Sequence, residues 1–148
     1  MEGALVTIQL TLLSLLIGLV LAIPIAFGQI YGPKWLRKLI GVYERVVRSI
    51  PLLVILFLIF YGFPRIGIKF PAFTAAVLGI GIRSSAYQSQ IFRGAIQSIS
   101  GSQMKAALSL GMTKIQSFKS IILPQSIRIA LPPMANESAI VLKDTSLA

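Results

Sequence analysis

Between residues 3 and 33 the chain has no charged side chain. A helix needs ~20 apolar residues to cross a hydrocarbon core of ~30 Å, so this stretch can cross with length to spare for tilt. A secretory signal would have a basic start and an apolar core of at most ~15 residues. This segment opens with Glu2 and runs well past that length, so it is expected to stay in the mature protein as a first span. Gly18, Pro24 and Gly28 do not argue against a span, because neighbouring helices or Ser and Thr side chains can satisfy a freed carbonyl. Composition agrees: 55% of residues are apolar and 12% charged, about half the ~25% charged content of a soluble domain, and mean hydropathy is +0.84. With 148 residues there is room for about four spans and no separate soluble domain. The fold class is therefore all-α, a polytopic helical membrane protein.

The remaining spans are spaced by basic segments. Residues 34–48 form a short connecting loop with Lys34, Arg37, Lys38, Arg45 and Arg48 against the single acid Glu44. A second span covers 49–64, with its helix starting near Pro51, where a missing N–H costs nothing. A third covers 70–92 and contains Arg83. From 93 to 128 the composition is mixed, with Arg93, Lys105, Lys114, Lys119 and Arg128 and no acid. Basic loops lie on the cytoplasmic side, so 34–48 and 93–128 are both cytoplasmic, the N-terminus is outside, and Arg65 and Lys69 mark a short external link. A fourth span begins after Arg128 and runs outward. It carries Pro132, Pro133, Asn136, Glu137, Lys143 and Asp144, so protein or water must shield it.

Absences narrow the chemistry. The chain has no Cys and no His, which excludes a thiolate nucleophile, an imidazole base and an ordinary zinc site. Four scattered acids (Glu2, Glu44, Glu137, Asp144) leave little for acid–base catalysis, and neither a phosphate-binding G-x-x-x-x-G-K-[ST] loop nor a G-x-G-x-x-G turn occurs. No enzyme activity, metal or cofactor is expected. The net charge of +10 does not point to nucleic acid, because the bases alternate with spans and form no continuous soluble patch.

Within the second basic segment, residues 98–124 read as helix–turn–helix. Ser100 with Gln103, and Thr113 with Gln116, fit the S/T-x-x-E/Q capping box; Gly111 sits where a left-handed residue ends the first helix, and Pro124 breaks the second. Met104, Ala107 and Leu108 share one face and Ile115, Phe118 and Ile122 another, a pair that suits either a lipid surface or a soluble partner.

The segment Ser98-Ile-Ser-Gly-Ser-Gln-Met-Lys-Ala-Ala-Leu-Ser-Leu-Gly111, followed by Ile121-Ile-Leu-Pro-Gln125, resembles the cytoplasmic EAA loop of permease subunits in ATP-binding-cassette importers, in the version of the polar amino acid uptake family. Three further segments match that family in order: Arg48-Ser-Ile-Pro-Leu-Leu53, Ala86-Tyr87 with Ile91-Phe-Arg-Gly94, and Leu142-Lys-Asp-Thr-Ser-Leu147. Lys105 stands where the loop's acid is usual and Ser102 where a glycine is usual, so a salt link to an ATPase is not implied here; Gln90, outside the loop, stands where the family pattern usually has a Glu. The resemblance makes 1–148 a single permease domain whose coupling loop, about 98–124, meets partner ATPases through Gln103, Lys105, Ala106, Ala107, Leu110 and Gly111. The family usually has one more span, so the C-terminal one is expected to be missing from this chain. The implied partners are cytoplasmic ATP-binding subunits, a second permease subunit, identical or homologous, an extracytoplasmic substrate-binding protein and membrane lipid. A different-class alternative is a non-transporting anchor or scaffold whose basic loops bind anionic lipid.

Two polar groups stand out within the spans. Arg83, Tyr87 and Gln90 fall at i, i+4 and i+7, one stripe that faces a pore or a partner unless Arg83 snorkels to an interface. Asn136, Glu137, Lys143, Asp144, Thr145 and Ser146 are too polar for lipid, and form either a structural network with Lys143 paired to an acid or a site for a substrate with both charges. The substrate-pathway candidates are Arg83, Tyr87, Gln90, Asn136, Glu137, Lys143, Asp144 and Thr145. Gly79 and Gly81, with Ala75 and Ala76, offer a surface for close helix packing. The topology is testable because there is no native cysteine. Thiols introduced at Lys38 and Lys114 are expected to resist an impermeant reagent in intact cells while one at Lys69 reacts; labelling at 114 would reverse the assignment.

Overall fold

A computed structural model describes residues 2–99 and 101–147, apart from the side chain of Glu2. The uncharged run, preceded by Glu2, forms most of α1, Glu2–Tyr31, with Pro24 inside it. After Pro33, α2 covers Lys34–Ser49. Pro51, extended at φ −56° and ψ 139°, caps α3 (Leu52–Phe57), which runs on through a π turn (Leu58–Gly62) and a 3₁₀ turn (Phe63–Ile66) to Gly67 at φ 89°. The polar helix α4 is Ala72–Ser98. Two short helices, α5 (Gly101–Ser109) and α6 (Lys114–Ser117), precede a π turn (Phe118–Ile122), α7 (Leu123–Asp144) and a 3₁₀ turn (Thr145–Leu147). No strand occurs among the described residues.

The directions of the helices follow from their contacts with α4. Leu10 clusters with Ala76 and Val77, and Gly18 lies against Ser84 and Gln88, so α1 runs parallel to α4. Leu52 of α3 meets Ile80 and Ile59, in the π turn that continues α3, meets Ala75, while on α7 Glu137 meets Ser84 and Val141 meets Ile80, so both run antiparallel to it. This is the alternation that four successive spans require. By length and apolarity alone, α1 is the one helix among the described residues that can cross a membrane. The pair α2–α3 also qualifies if its 102° bend is a break in one span. At 27 and 22 residues α4 and α7 are long enough, but their polar residues keep them below the same threshold.

Four local expectations need correction. Residues 34–48 are helical rather than a loop, because Leu36, Ile40, Tyr43 and Val47 repeat at helical spacing and half-bury one face. The helix expected to end near 92 continues to Ser98, so Arg93 belongs to α4 and not to the basic loop. Pro124 does not break the second short helix. The wider π turn before it brings Pro124 into the first turn of α7, where its missing N–H and its ring are tolerated, and the chain stays helical from Lys114. For the same reason α7 begins at Leu123 and not after Arg128. The capping box at Ser100 lies outside the described residues.

Close packing against α4 rests on small residues, as the glycine and alanine pattern predicts. Spaced two apart, Gly79 and Gly81 turn to different neighbours. A Cβ on Gly79 would come within 2.8 Å of Leu56 on α3, and one on Gly81 within 2.9 Å of Ile17 on α1. Ser14, Ala22, Ala26, Ser84 and Ala86 are buried along the same two helices, α1 and α4. In lipid, where tails are as apolar as leucine, such close approach rather than hydrophobic burial drives association. Gly81→Leu is therefore expected to overpack the α1–α4 contact at a cost of ~1–3 kcal/mol, lowering the melting midpoint in detergent by several degrees; an unchanged midpoint would show that the contact has slack.

Candidate functional site

The stripe expected on α4 exists, and two other helices meet it. Arg83 on α4 is ion-paired with Asp144 at the end of α7, and its guanidinium carbon lies 5.2 Å from the centroid of the Tyr87 ring. That of Arg48, from the end of α2, lies 4.9 Å from the same centroid. Two cations on one ring gain from its quadrupole only while their mutual repulsion is relieved. Asp144 relieves it for Arg83. Arg48 instead donates from Nη1 to Gln90 Oε1 at 2.5 Å, and Gln90 Nε2 reaches Glu44 Oε2 at 3.4 Å. Glu44 is buried, accepts from Ser89 Oγ at 2.9 Å and faces Arg93 Nη1 at 3.6 Å. A continuous series of polar contacts thus follows α4 from Arg83 through Tyr87 and Gln90 to Arg93, with α2 supplying Arg48 and Glu44.

A second group lies deeper, on the adjoining face of α4. Ser84 Oγ donates to Glu137 Oε1 of α7 at 2.8 Å and accepts from Gln88 Nε2 at 3.0 Å; the same Nε2 is 3.2 Å from the Leu15 carbonyl of α1. Gln88 is wholly buried, and its Oε1 has no hydrogen-bond partner among the described residues. Tyr43 O–H reaches Ser85 Oγ at 2.7 Å and the Ile82 carbonyl at 3.2 Å, fixing α2 to α4.

The structure brings Arg83, Tyr87, Gln90, Glu137 and Asp144 together. On α7, residues 137, 141 and 144 share the face toward α4, while Asn136 and Lys143 lie one position round and are exposed. Among the described residues neither Asn136 nor Lys143 has a side-chain hydrogen bond or ion pair, so the expected pairing of Lys143 with an acid does not form, and Asp144 pairs with Arg83. Thr145 is buried, but its Oγ1 donates to the carbonyl of Leu142 in its own turn at 2.6 Å. Sequence reading passed over Glu44, Arg48, Arg93, Ser84, Gln88 and Ser89. Part of that signal was present, since Ser84 with Gln88 and Ser85 with Ser89 are i, i+4 pairs on a helix otherwise packed with small residues.

The segment after α4 is built on two local motifs. Gly111 has φ 81°, and the bonds Met112 N–H to Ala107 C=O (3.2 Å) and Gly111 N–H to Leu108 C=O (3.0 Å) form a Schellman cap on α5. Thr113 and Gln116 make both bonds of the capping box, at 3.2 and 2.9 Å. Gln125 at the start of α7 donates to Gln103 Oε1 at 2.6 Å, and Ala107 is buried, so α5 is fastened to α7. Lys105, Ala106, Leu110 and Gly111 are exposed, Leu110 at 82%.

Residues 11–148 match the family described as binding-protein-dependent transport system inner membrane component. The chain belongs to this family. It is 43% identical over 142 residues to the probable amino-acid ABC transporter permease protein YckA of Bacillus subtilis, an alignment covering 96% of this chain and 63% of the relative. Against the L-cystine transport system permease protein TcyB of the same organism it is 38% identical over 146 residues, covering 99% and 62%. The crystal structure of an amino acid ABC transporter with histidines superposes with a TM-score of 0.86 at 38% identity, over 95% of this chain and 66% of that one. This inner membrane transport component thus spans just under two thirds of the length of the relatives it matches.

Within it, Glu44 is the acid that holds α2 to α4. Glu44→Ala removes one of the two acceptors of Ser89, the other being the Ala86 carbonyl, and the counter-charge of Arg93, and is expected to cost ~1.5–3 kcal/mol, read as a lower unfolding temperature in detergent. Arg93→Ala should cost less, because Arg93 is 30% exposed and water replaces part of its pairing. Equal effects would show that the Arg93 ion pair, and not the Ser89 bond, dominates.

Proposed function

We propose that this chain is the transmembrane subunit of an ATP-driven importer that moves polar amino acids into the cytoplasm. ATP hydrolysis belongs to partner chains, since this sequence has no phosphate-binding loop. Those ATPases dock on the exposed surface of the 98–124 segment, at Lys105, Ala106, Leu110 and Gly111, with Gln103 and Ala107 holding α5 to α7 behind it. A second permease subunit completes the pore, and an external binding protein delivers the substrate. The N-terminus is outside, with 34–48 and 93–128 on the cytoplasmic side. Membership of a transport family favours this reading over a lipid-binding scaffold.

The observation that carries the reading is the contact of Asp144 with Arg83 beside Tyr87. An ion pair between two spans is costly to break unless another charge takes the vacated place, and its partial exposure leaves this one open to exchange. An entering amino acid brings one carboxylate and one ammonium, and an unpaired buried charge is costly. Its carboxylate takes the place of Asp144 on Arg83, where the planar fork gives two parallel bonds. Asp144 or Glu137 then receives the ammonium, so no charge is left alone during the exchange. Tyr87 and Gln90 orient the bound molecule, and Asn136 and Lys143 extend the polar surface of α7 beside it; Thr145 contributes by holding the turn that carries Asp144.

The connection of α5 to α7 through Gln125–Gln103, and of α7 to α4 through the buried Ser84–Glu137 bond, gives a path by which ATPase movement reaches the site as a rigid-body shift. Uptake and membrane abundance measured together test the substrate assignment. Arg83→Lys is expected to lower uptake per molecule about tenfold or more, the equivalent of one charged hydrogen bond at ~1.5–3 kcal/mol, with abundance little changed. If the pair is only structural, Arg83→Lys and Asp144→Asn will reduce abundance and the swap Arg83→Asp with Asp144→Arg will restore it together with uptake.

A further inference from the structure

A cleft of about 660 Å³ opens between the last turns of α1 and the π turn after α6. That volume lies within the ~300–1,000 Å³ typical of ligand-sized clefts. Its floor is aromatic: the rings of Phe27 and Tyr31 are 4.7 Å apart, and Phe118 meets them edge-on at 5.7 and 5.8 Å. Phe27 and Tyr31 nevertheless remain 49% exposed, and Ile115 is 70% exposed. Lys114 and Lys119 also line it, both exposed and neither ion-paired among the described residues. Nothing within 93–128 answers that charge, because the segment contains no acid. The cleft lies where the uncharged α1 ends and the basic segment begins.

We infer that this cleft binds one anionic phospholipid, with an acyl chain against Phe27, Tyr31 and Phe118 and the phosphate on Lys114 and Lys119. An apolar slot edged by two unpaired cations fits a molecule that is itself apolar with an anionic end. A protein occupant would have to supply an apolar side chain and an acid at the same spacing. Bound there, the lipid bridges the end of α1 and the segment that leads into α7, independently of the Arg83 site. Near an anionic surface each lysine is worth about fivefold in affinity.

The assembled transporter in nanodiscs provides the test. Trp35, the only tryptophan of this chain, is replaced by Phe, and Phe118→Trp or Tyr31→Trp is introduced as reporter, the partner subunits' fluorescence being subtracted from the version without a reporter. The second reporter leaves the π turn untouched if the first disturbs folding. Brominated phosphatidylglycerol is expected to quench the reporter at a mole fraction at least fivefold lower than brominated phosphatidylcholine, and Lys114→Gln with Lys119→Gln should abolish that preference. Equal quenching by the two lipids means bulk contact only and overturns the proposal. So does a preference that survives the double lysine change, or absence of quenching by either lipid, which would show that another subunit or another part of the polypeptide covers the cleft.

Discussion

How closely α1 and α3 can approach α4 governs the rest of the structure. A methyl group at Gly79 would lie 2.8 Å from Leu56 and force that side chain aside, and one at Gly81 would lie 2.9 Å from Ile17 and 3.3 Å from the Ser14 carbonyl. That proximity closes the bundle around Ser84, Ser85, Gln88 and Ser89, all buried. Once enclosed away from water, each hydroxyl or amide must bond to protein or carry the cost of desolvation. Ser85 and Ser89 bond to carbonyls one turn back in α4, while Ser84 and Gln88 reach α7 and α1. Small residues therefore serve two ends here: they permit the approach, and their hydroxyls satisfy it.

The acids show the same economy. Glu44, Glu137 and Asp144 come from α2 and α7, yet all three end against α4. In a chain with net charge +10 carboxylates are scarce, and those that lie among the helices each have a partner. Glu44 is the most buried of the three and makes the fixed contact. The Arg83–Asp144 pair keeps 23% and 17% side-chain exposure, so solvent or a ligand can reach it. A hidden acid suits a fastening and a reachable one suits exchange, which is why these two ion pairs carry different proposals.

Much was legible in the chain because the causes were local. The uncharged run to residue 33 defines α1 through hydrophobicity alone. Pro51 starts α3, the Gly111 left-handed turn ends α5, and Thr113 with Gln116 starts α6, because caps and turns depend on residues within four positions. The i, i+4, i+7 spacing of Arg83, Tyr87 and Gln90 likewise puts them on one face without reference to any partner. Where local rules misled, a neighbouring geometry intervened. A widened turn at 118–122 absorbed Pro124, and a half-buried face made a helix of the basic segment at 34–48.

By itself, then, the sequence determined an all-helical membrane chain, a first helix long and apolar enough to cross the bilayer, the turn that ends α5, the cap that starts α6 and the polar stripe of α4. Tertiary structure alone decided the partners of that stripe. Glu137 and Asp144 are both acids on one face of α7, two turns apart, and only the packing of α7 against α4 gave Asp144 to Arg83 and Glu137 to Ser84. Glu44 stood as one acid among five bases, and nothing in the order of residues said that Ser89 and Arg93, more than forty positions on, would meet it. Side-chain direction repeats within a helix and can be read from spacing, whereas contacts between helices depend on a rotation and a depth that the whole bundle sets at once.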